Sequence, residues 1–378
     1  MKAGSIPTTP TDRTVRPADD HQHSAAASED DLKPQRLVRH LLSAGIITPA
    51  ECLAQGVMLR PVGRSHSVWK LNVGNEPRAA IKLFGPSRGG TDGSAVAEHA
   101  VQDLAASVPE LAALLPERLV HAGPRWLVAH RWVAGEPAWQ DDSLASGGGS
   151  PAADIAALAP RVAPGLAAMH RATARLVRAG GSRGLQAGLD DRLPWVLALF
   201  DADAPPELWS HGLLAPVLNA AGQRPALVAG IRRARGAWRP LALIHADLKH
   251  DNLLLKANGG VTLVDWELAR CGDPAWDLAG LMFRPLLDPA PERQGWTPAN
   301  QQAARSMLAA YAGASGLARP ALAQRLLFYC GAWLLMSVVQ YRSAATQPDE
   351  GETRRLLDAA EQSLAAPESL VASLADAP

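Results

Sequence analysis

Cysteine is scarce in this sequence, and the cysteines present are far apart. Cys52, Cys271 and Cys330 are the only three among 378 residues, and no Cys-x-x-Cys pair occurs. Widely separated cysteines support neither a disulfide framework nor a zinc site, and they are typical of proteins in a reducing compartment. We therefore expect a cytoplasmic protein.

Net charge and long hydrophobic runs are also lacking. Lysine plus arginine and aspartate plus glutamate each number 37, so no excess of positive charge indicates a nucleic acid partner. The N-terminus has no apolar core of the signal-peptide kind. The uncharged run Leu326–Gln340 is shorter than the roughly 18 residues that span a bilayer. We predict a buried helix there and no membrane partner.

The hydrophobic pattern divides the chain into three parts. Residues 1–31 show no hydrophobic periodicity, which indicates a disordered tail. Residues 32–135 begin with a helix over Gln35–Ala44 and continue as short strands, which predicts a small, β-rich N-lobe. Residues 136–378 are mostly Ala- and Leu-rich helix, apart from two short strands flanking a loop at 241–267. The prediction is an α+β fold with two lobes, of which the C-lobe is larger and mostly helical.

Turn-forming residues separate the predicted elements of the N-lobe. A hairpin turn is expected at Asn72–Pro77, and a Gly/Ser-rich loop at Gly85–Ser94 precedes a helix at Ala95–Ala106. The predicted strands cover Val57–Val62, Ser67–Val73, Arg78–Phe84, Leu119–Ala122 and Trp126–Trp132.

The densest group of polar residues lies in the C-lobe between two apolar segments. It reads His-Ala-Asp-Leu-Lys-His-Asp-Asn and ends at Asn252, and Asp265 follows at the end of the next apolar strand. Phosphoryl transfer uses one carboxylate to orient the attacking hydroxyl, and an amide and a second carboxylate to hold the metal ion. Any one of these residues could equally belong to a polar turn. The joint spacing of Asp247, Asn252 and Asp265 favours the chemical interpretation.

These segments resemble those of the aminoglycoside phosphotransferase and choline kinase family, which has the two-lobed protein kinase-like fold. The family pattern is H-G-D-x-x-x-x-N followed by I-D-W/F-E, and this chain has HADLKHDN followed by VDWE. The resemblance implies that Asp247 is the catalytic base and that Asn252 and Asp265 bind Mg²⁺. Lys249 stands two residues after Asp247, where protein Ser/Thr kinases also have a lysine, and this similarity implies that Lys249 neutralises charge on the γ-phosphate of ATP. Ala246 stands where the family usually has glycine, and this departure removes no chemical group.

The segment Cys271–Ala279 extends the resemblance, because it is similar to the family element G-D-P-x-x-D-L-A. Asp277 is expected to accept hydrogen bonds from amides of the catalytic loop. Asp273 is expected to cap the helix that follows. His245 is interpreted as a support of the loop, and His170 as a core histidine with its hydrogen bonds satisfied.

Lys82 lies in an otherwise apolar strand, where an ammonium group is costly unless an anion meets it. The strand resembles the kinase V-A-I-K strand, whose lysine contacts the α- and β-phosphates and pairs with a helix glutamate. The resemblance implies that Lys82 binds ATP and that Glu98 is its partner. An exposed helix glutamate is the alternative interpretation of Glu98.

The remaining ATP contacts are predicted on backbone groups. Val62–Trp69 is similar to the family loop G-x-S-N-x-V-Y, which implies that amides near Ser65 and Ser67 hold the β-phosphate, and an ordinary hairpin is equally compatible. The segment after Trp126 resembles the interlobe hinge, so backbone groups around Arg131 and Val133 would meet adenine. No G-x-x-x-x-G-K-[ST] motif occurs, which argues against a P-loop enzyme.

The phosphate acceptor is open at this point, either a hydroxyl-bearing small molecule or a Ser/Thr hydroxyl of a precursor peptide. A polycationic aminoglycoside would favour an acid-lined cleft, and residues 281–325 hold only Asp288 and Glu292 against five arginines. Some family members of lanthipeptide-like pathways phosphorylate a peptide for a partner lyase, and Trp266 and Trp276 are compatible with that subgroup. A nucleotide-binding pseudokinase scaffold is the alternative of another class. Such scaffolds commonly lose the base or a metal ligand, and here neither is lost.

Overall fold

The computed structural model of the chain describes residues 34–62, 67–84, 92–120, 126–138, 151–181, 184–185, 188–201, 215–288, 294–344 and 350–376. The predicted tail at 1–31 lies outside the described residues, as do residues 63–66 of the predicted phosphate-covering loop. Most of the predicted Gly/Ser-rich loop, residues 85–91, also lies outside them.

The N-lobe is built on a four-stranded antiparallel sheet whose strands follow the order β1-β2-β3-β4. Its strands are β1 (Val57–Pro61), β2 (Ser67–Val73), β3 (Glu76–Leu83) and β4 (Leu127–Arg131). Its helices are α1 (Pro34–Ser43), α2 (Pro49–Ala54), α3 (Asp92–Ala105) and α4 (Pro109–Ala112). The predicted hairpin is confirmed, because Val73 pairs with Glu76 at the turn between β2 and β3.

The strand predicted over Leu119–Ala122 is wrong in its described part. Only Arg118 forms a bridge, to His130 of β4. The backbone bends at Leu119, and the side chain of Arg118 donates from Nε to the carbonyl of Val120 at 2.6 Å. Two backbone hydrogen bonds hold this segment to β4, from the Leu119 amide to the Ala129 carbonyl and from the Arg131 amide to the Glu117 carbonyl. The pairing does not continue beyond this single bridge, so the segment is not a strand.

Helix α1 and the segment after it complete the core of the N-lobe. Leu37, Leu41 and Ile47 are buried against the sheet in one cluster with Leu71 and Ile81. Burying leucine or isoleucine side chains stabilises a fold by about 1.5–3 kcal/mol each. Helix α1 is thus an integral part of the N-lobe core.

Helix α2 is missing from the sequence prediction. Its signal was the capping box, in which Thr48 accepts from the Glu51 amide and the Glu51 carboxylate accepts from the Thr48 amide at 2.8 Å. Glu51 also pairs with Arg78 of β3 at 2.7 Å, which ties α2 to the strand that carries Lys82.

The C-lobe is a bundle of helices with two small sheets. Its helices are α5 (Pro151–Gly180), α6 (Ala215–Gly222), α7 (Pro225–Ala237), α8 (Pro274–Leu286), α9 (Pro298–Ser315), α10 (Arg319–Ala344), α11 (Glu350–Ala365) and α12 (Glu368–Ala375). Its strands are β5 (Gly135–Pro137), β6 (Ala242–Ile244), β7 (Leu253–Lys256), β8 (Val261–Leu263) and β9 (Arg270–Gly272). The sheets have the orders β5-β7-β8 and β6-β9.

The sequence predicted two strands at 241–267, but the structure has three in this range, β6, β7 and β8. The apolar run after the polar loop is itself strand β7, because a tight turn reverses the chain before β8. Gly259 adopts φ +83 in this turn, and the Lys256 amide donates to the Gly260 carbonyl at 2.9 Å. The predicted catalytic and metal-binding segments are thus adjacent in the fold, since Leu253 of β7 pairs with Leu263 of β8.

The helix predicted over Leu326–Gln340 is confirmed as part of α10. By length and composition Arg319–Val339 could cross a membrane, with a mean hydropathy of 1.5, but 83% of that window is buried inside the protein. Its Trp333 lies at a ring-centroid distance of 5.0 Å from Phe283 of α8. Helix α10 is thus the central core helix of the C-lobe.

Helix α8 packs directly against the backbone of the predicted catalytic loop. A Cβ atom on Gly280 would come within 2.2 Å of the Leu248 carbonyl oxygen, so only glycine allows this approach. The backbone of the loop therefore rests directly on α8, and its position is coupled to the core of the C-lobe.

Candidate active site

The predicted catalytic loop begins where β6 ends, and α8 fixes its backbone through one carboxylate. Asp277 accepts hydrogen bonds from the His245 amide at 2.8 Å and from the Ala246 amide at 3.0 Å. The indole of Trp276 donates to the Ala246 carbonyl at 2.9 Å. The predicted role of Asp277 as a brace of the loop is confirmed.

Two further predictions around this helix are confirmed, a core histidine at His170 and a helix cap at Asp273. His170 contacts Asp277 at 3.2 Å and the Tyr311 hydroxyl at 2.8 Å, so it is a core histidine with both ring nitrogens bonded. Asp273 caps α8 by accepting from the Ala275 amide at 3.0 Å. Trp266 and Trp276 are buried and donate to backbone carbonyls, so their indoles have structural roles.

Asp247, Lys249 and Asn252 converge at the tip of the loop. The carboxamide nitrogen of Asn252 donates to the Asp247 carbonyl at 2.8 Å and to its Oδ2 at 3.1 Å. Lys249 Nζ lies 3.0 Å from Asp247 Oδ2. Because the Asn252 nitrogen is used in this way, its Oδ1 is the atom that a cation would meet.

Burial and charge oppose each other at Asp247. Burial raises the pKa of this carboxyl, while the Lys249 ammonium lowers it, and the net shift is upward from the ordinary value of 3.8. A carboxyl with a raised pKa is a better proton acceptor than an ordinary surface aspartate, which suits a general base.

Asp265 follows β8 and is placed beside Asn252 by the backbone. The Val264 amide donates to the Asn252 carbonyl at 3.0 Å. Asp265 itself adopts φ +70, a conformation that a non-glycine residue occupies at a cost of about 1–3 kcal/mol and that occurs at functional sites. From there its carboxylate makes a short contact with Lys82 of the N-lobe.

Lys82 is surrounded by three carboxylates, one from the N-lobe and two from the C-lobe. It forms the predicted ion pair with Glu98 of α3 at 3.0 Å, contacts Asp265, and lies 3.0 Å from Glu267. Burial alone would lower the pKa of Lys82, but the carboxylates, with Glu98 first, raise it above its ordinary value. For Glu98, burial raises the pKa and Lys82 opposes this shift.

Glu267 lies at this site, although no role for it was predicted from the sequence. It stands two positions after Asp265 in the VDWE segment, so the motif contained it, but its contact with Lys82 comes from the other lobe. A contact between residues so far apart in the chain has no local sequence signal.

The oxygen atoms at this site fit the predicted magnesium ion. Among the described residues, no group of three His, Cys, Asp or Glu side chains is arranged to hold a metal. Mg²⁺ needs few protein ligands when phosphate oxygens complete its shell, and Asn252 and Asp265 would supply amide and carboxylate oxygens. One ammonium faces three carboxylates around Lys82, so a divalent cation would balance the remaining negative charge.

The predicted ATP contacts of Ser65, Ser67, Arg131 and Val133 are not tested by the side-chain geometry. Ser65 lies outside the described residues, and for Ser67 only the backbone, at the start of β2, is described. The Arg131 amide donates to the Glu117 carbonyl at 2.7 Å, and its guanidinium pairs with the Glu117 carboxylate. Adenine contacts from the predicted hinge would therefore come from groups beyond the Arg131 amide, such as the backbone of Val133. These roles stay predictions.

Replacing Ala246 with glycine is expected to stabilise the protein by about 0.5–1 kcal/mol. Ala246 has φ +66, which favours glycine and explains why the family usually has glycine there. The strain of about 1–2 kcal/mol for a non-glycine residue outweighs the entropy that glycine adds to the unfolded chain. Urea unfolding would measure the change. Ala279→Gly, in the middle of α8, is the control and should instead destabilise by about 1 kcal/mol; a loss of stability in both variants would contradict the strain at Ala246.

Two buried histidines are expected to make the fold sensitive to acid. Burial lowers the pKa of His130 and of His250 to about 3, from 6.5. Between these values the unfolded state binds more protons, so stability falls as the pH falls from about 7 towards 3. Each histidine should lower the free energy of unfolding by about 2 kcal/mol when the pH falls from 7 to 5. Urea titrations of His130→Gln and His250→Gln should show a weaker pH dependence than the wild type, and an unchanged dependence would contradict the assignment.

The arrangement of lobes and the interlobe lysine define a protein with the kinase-like fold. A family model described as "Phosphotransferase enzyme family" matches residues 57–324. The chain belongs to this family and is a phosphotransferase. A search of the curated proteins finds no significant match.

Solved structures agree with the fold. A choline kinase from Cryptosporidium parvum is 11% identical, with 86% of this chain and 94% of that chain covered and a TM-score of 0.55. A choline/ethanolamine kinase family protein from Mesorhizobium loti is 19% identical, with 90% and 99% covered and a TM-score of 0.50. LicA, a choline kinase in Streptococcus pneumoniae, has a structure in complex with AMP that is 13% identical, with 87% and 97% covered and a TM-score of 0.51. At these identities the likeness shows the fold alone.

Proposed function

We propose that this phosphotransferase moves the γ-phosphate of ATP to a hydroxyl group of a small molecule. The observation that carries the proposal is the contact of Lys82 from the N-lobe with Asp265 from the C-lobe, next to the paired Asp247 and Asn252. Phosphoryl transfer uses a cation for the phosphates, metal ligands and a carboxylate. The candidates for these roles are Lys82, the pair Asn252 and Asp265, and the partly buried Asp247.

In this proposal Asp247 receives the proton of the acceptor hydroxyl. The acceptor oxygen then forms a bond to the γ-phosphorus, and the bond from that phosphorus to the β–γ bridging oxygen breaks, so that ADP leaves. Lys249, at 3.0 Å from Asp247, lies where its positive charge can offset the charge on the γ-phosphate. Lys82, held by Glu98, meets the inner phosphates.

Asn252 and Asp265 would hold Mg²⁺, which would offset the negative charge of the phosphate groups when bound. The support for this step is the pairing of Asn252 Nδ2 with Asp247, since it orients the amide oxygen away from the base. Oxygen ligands of this kind are the ones that Mg²⁺ prefers.

The acceptor class is proposed from the relatives. The similar structures of Cryptosporidium parvum and Mesorhizobium loti are named as choline or choline/ethanolamine kinases, which favours a small amino alcohol as the first substrate to test. The peptide acceptor and its partner lyase gain no support, because Trp266 and Trp276 are part of the core.

The test offers Mg-[γ-³²P]ATP to the protein with choline, ethanolamine, an aminoglycoside and a Ser/Thr peptide in parallel. We expect labelled product with a small alcohol. Label on the peptide alone would replace the small-molecule proposal with the peptide kinase. Calorimetric binding of MgATP without transfer to any acceptor would favour the pseudokinase scaffold.

A further inference from the structure

A segment of the C-lobe outside the catalytic motifs contacts both helix α3 and the chain that follows Asp265. Residues 188–192, here called the strap, form neither helix nor strand and lie before the short 3-10 helix Trp195–Ala198. On one side the strap contacts α3, which carries Glu98. On the other side it contacts the chain that follows Asp265.

The contact with α3 is made by backbone at Gly188. A Cβ atom there would come within 2.4 Å of Val96 Cγ1 and within 3.6 Å of Ala100 Cβ, and Gly188 has φ +100. The next residue, Leu189, is buried in the same core cluster as Ala97 and Ala100. The strap therefore packs tightly on one face of α3, and glycine is required for that fit.

The contact with the metal-binding side is made by hydrogen bonds. The Cys271 amide of β9 donates to the Asp190 carbonyl at 2.7 Å. Arg270 Nη1 donates to the Arg192 carbonyl at 3.2 Å. Since β9 follows Asp265 by only a few residues and pairs with β6, which leads into the catalytic loop, the strap is fixed to the catalytic half of the cleft.

The strap lies on the side of α3 that faces away from Lys82. Val96 and Ala100 are one turn apart on the same helix face, whereas Glu98 lies two residues from each, about 200° around the helix. With the sheet on the Glu98 side and the strap on the other, α3 has little freedom to shift. Any movement of α3 away from the sheet would have to displace the strap.

We propose that the strap, through Gly188, is a positioning element that holds Glu98 against Lys82 and couples this pair to the Asp265 segment. The proposal rests on the proposed function, because the pair is assigned to the ATP phosphates. In this proposal the C-lobe holds the helix that carries Glu98, so the pair of Glu98 and Lys82 stays formed in the absence of nucleotide.

The test compares Gly188→Ala, Glu98→Gln and the double variant. Calorimetry with Mg²⁺ and the non-hydrolysable analogue AMP-PNP measures binding, and hydrogen exchange measures the opening of α3. We expect Gly188→Ala to weaken binding about tenfold and to speed exchange of the α3 amides, since displacements of about 1 Å can have large effects at such sites. In the double variant the loss should equal that of Glu98→Gln alone, because the strap acts through Glu98.

Two controls separate positioning from general damage. Gly181→Ala also places a side chain at positive φ, +64, but in open space, so its binding should match the wild type. Adding Val96→Ala to Gly188→Ala removes the atom that the new Cβ would meet, and should restore most of the binding and permit folding if the single variant does not fold. The positive φ at 188 keeps this rescue partial.

Three outcomes would overturn the strap proposal. Gly188→Ala could bind Mg-AMP-PNP as tightly as the wild type, or its α3 amides could exchange at the wild-type rate. In the double variant, the loss of binding free energy could equal the sum of the losses in the two single variants. If the wild type itself binds no Mg-AMP-PNP, the proposed function is wrong. The exchange rates of α3 in the nucleotide-free variants then still decide whether the strap holds the helix.

Discussion

Asp247→Asn is expected to lower turnover by roughly 10²–10⁴-fold and to leave MgATP binding largely intact, because a general base contributes to the chemical step. The substitution keeps the shape of the side chain and the bond from Asn252 Nδ2 to the backbone carbonyl of residue 247. It removes the proton acceptor, and it leaves Lys249 without its carboxylate partner. Rate measurements at saturating MgATP, together with calorimetric titration of the nucleotide, would separate the two effects.

The matched control for this prediction is Asp251→Asn in the same loop. Asp251 is exposed at the 3-10 turn after Lys249, so its loss should change turnover less than about twofold. The pH profile gives a second check, since the raised pKa of Asp247 places the acid limb of turnover above the range of an ordinary aspartate. Equal turnover in the wild type and in Asp247→Asn would exclude this residue as the base.

The residues of the site that the sequence predicted lie in short, local motifs. Asp247 and Asn252 are five positions apart in one loop, so their contact is settled by the local backbone. The pairing of β7 with β8 then places Asp265 beside them. Lys82 was predictable for a different reason, because a lysine in a buried strand requires nearby anions, whatever their position in the chain.

The parts that the sequence did not predict depend on contacts between distant segments. Glu267 meets Lys82 only because the two lobes close on each other. The strand β7 was hidden in an apolar run that fits either strand or buried helix. Gly188 has an ordinary sequence context, and its role depends on the close approach of α3, which no local pattern reveals.

Asp277→Ala is expected to destabilise the protein by about 3–5 kcal/mol and to lower turnover in the molecules that remain folded. The carboxylate is fully buried and accepts from the amides of His245 and Ala246 and contacts His170. Each buried donor left without an acceptor costs about 1–3 kcal/mol, so the two amides and the histidine together account for this loss. Urea unfolding measures the stability, and turnover is measured well below the unfolding transition.

The control for this prediction is Asp273→Ala, at the N-terminal cap of the same helix. Asp273 is equally buried and accepts from Ala275 and Tyr329, but it makes no contact with the catalytic loop. Both variants should lose stability, since each leaves buried donors unpaired. Only Asp277→Ala should lower turnover at matched folded fraction, because only Asp277 holds the two amides that precede Asp247. Equal turnover losses in the two variants would mean that Asp277 acts through the general stability of α8 and not through the position of the base.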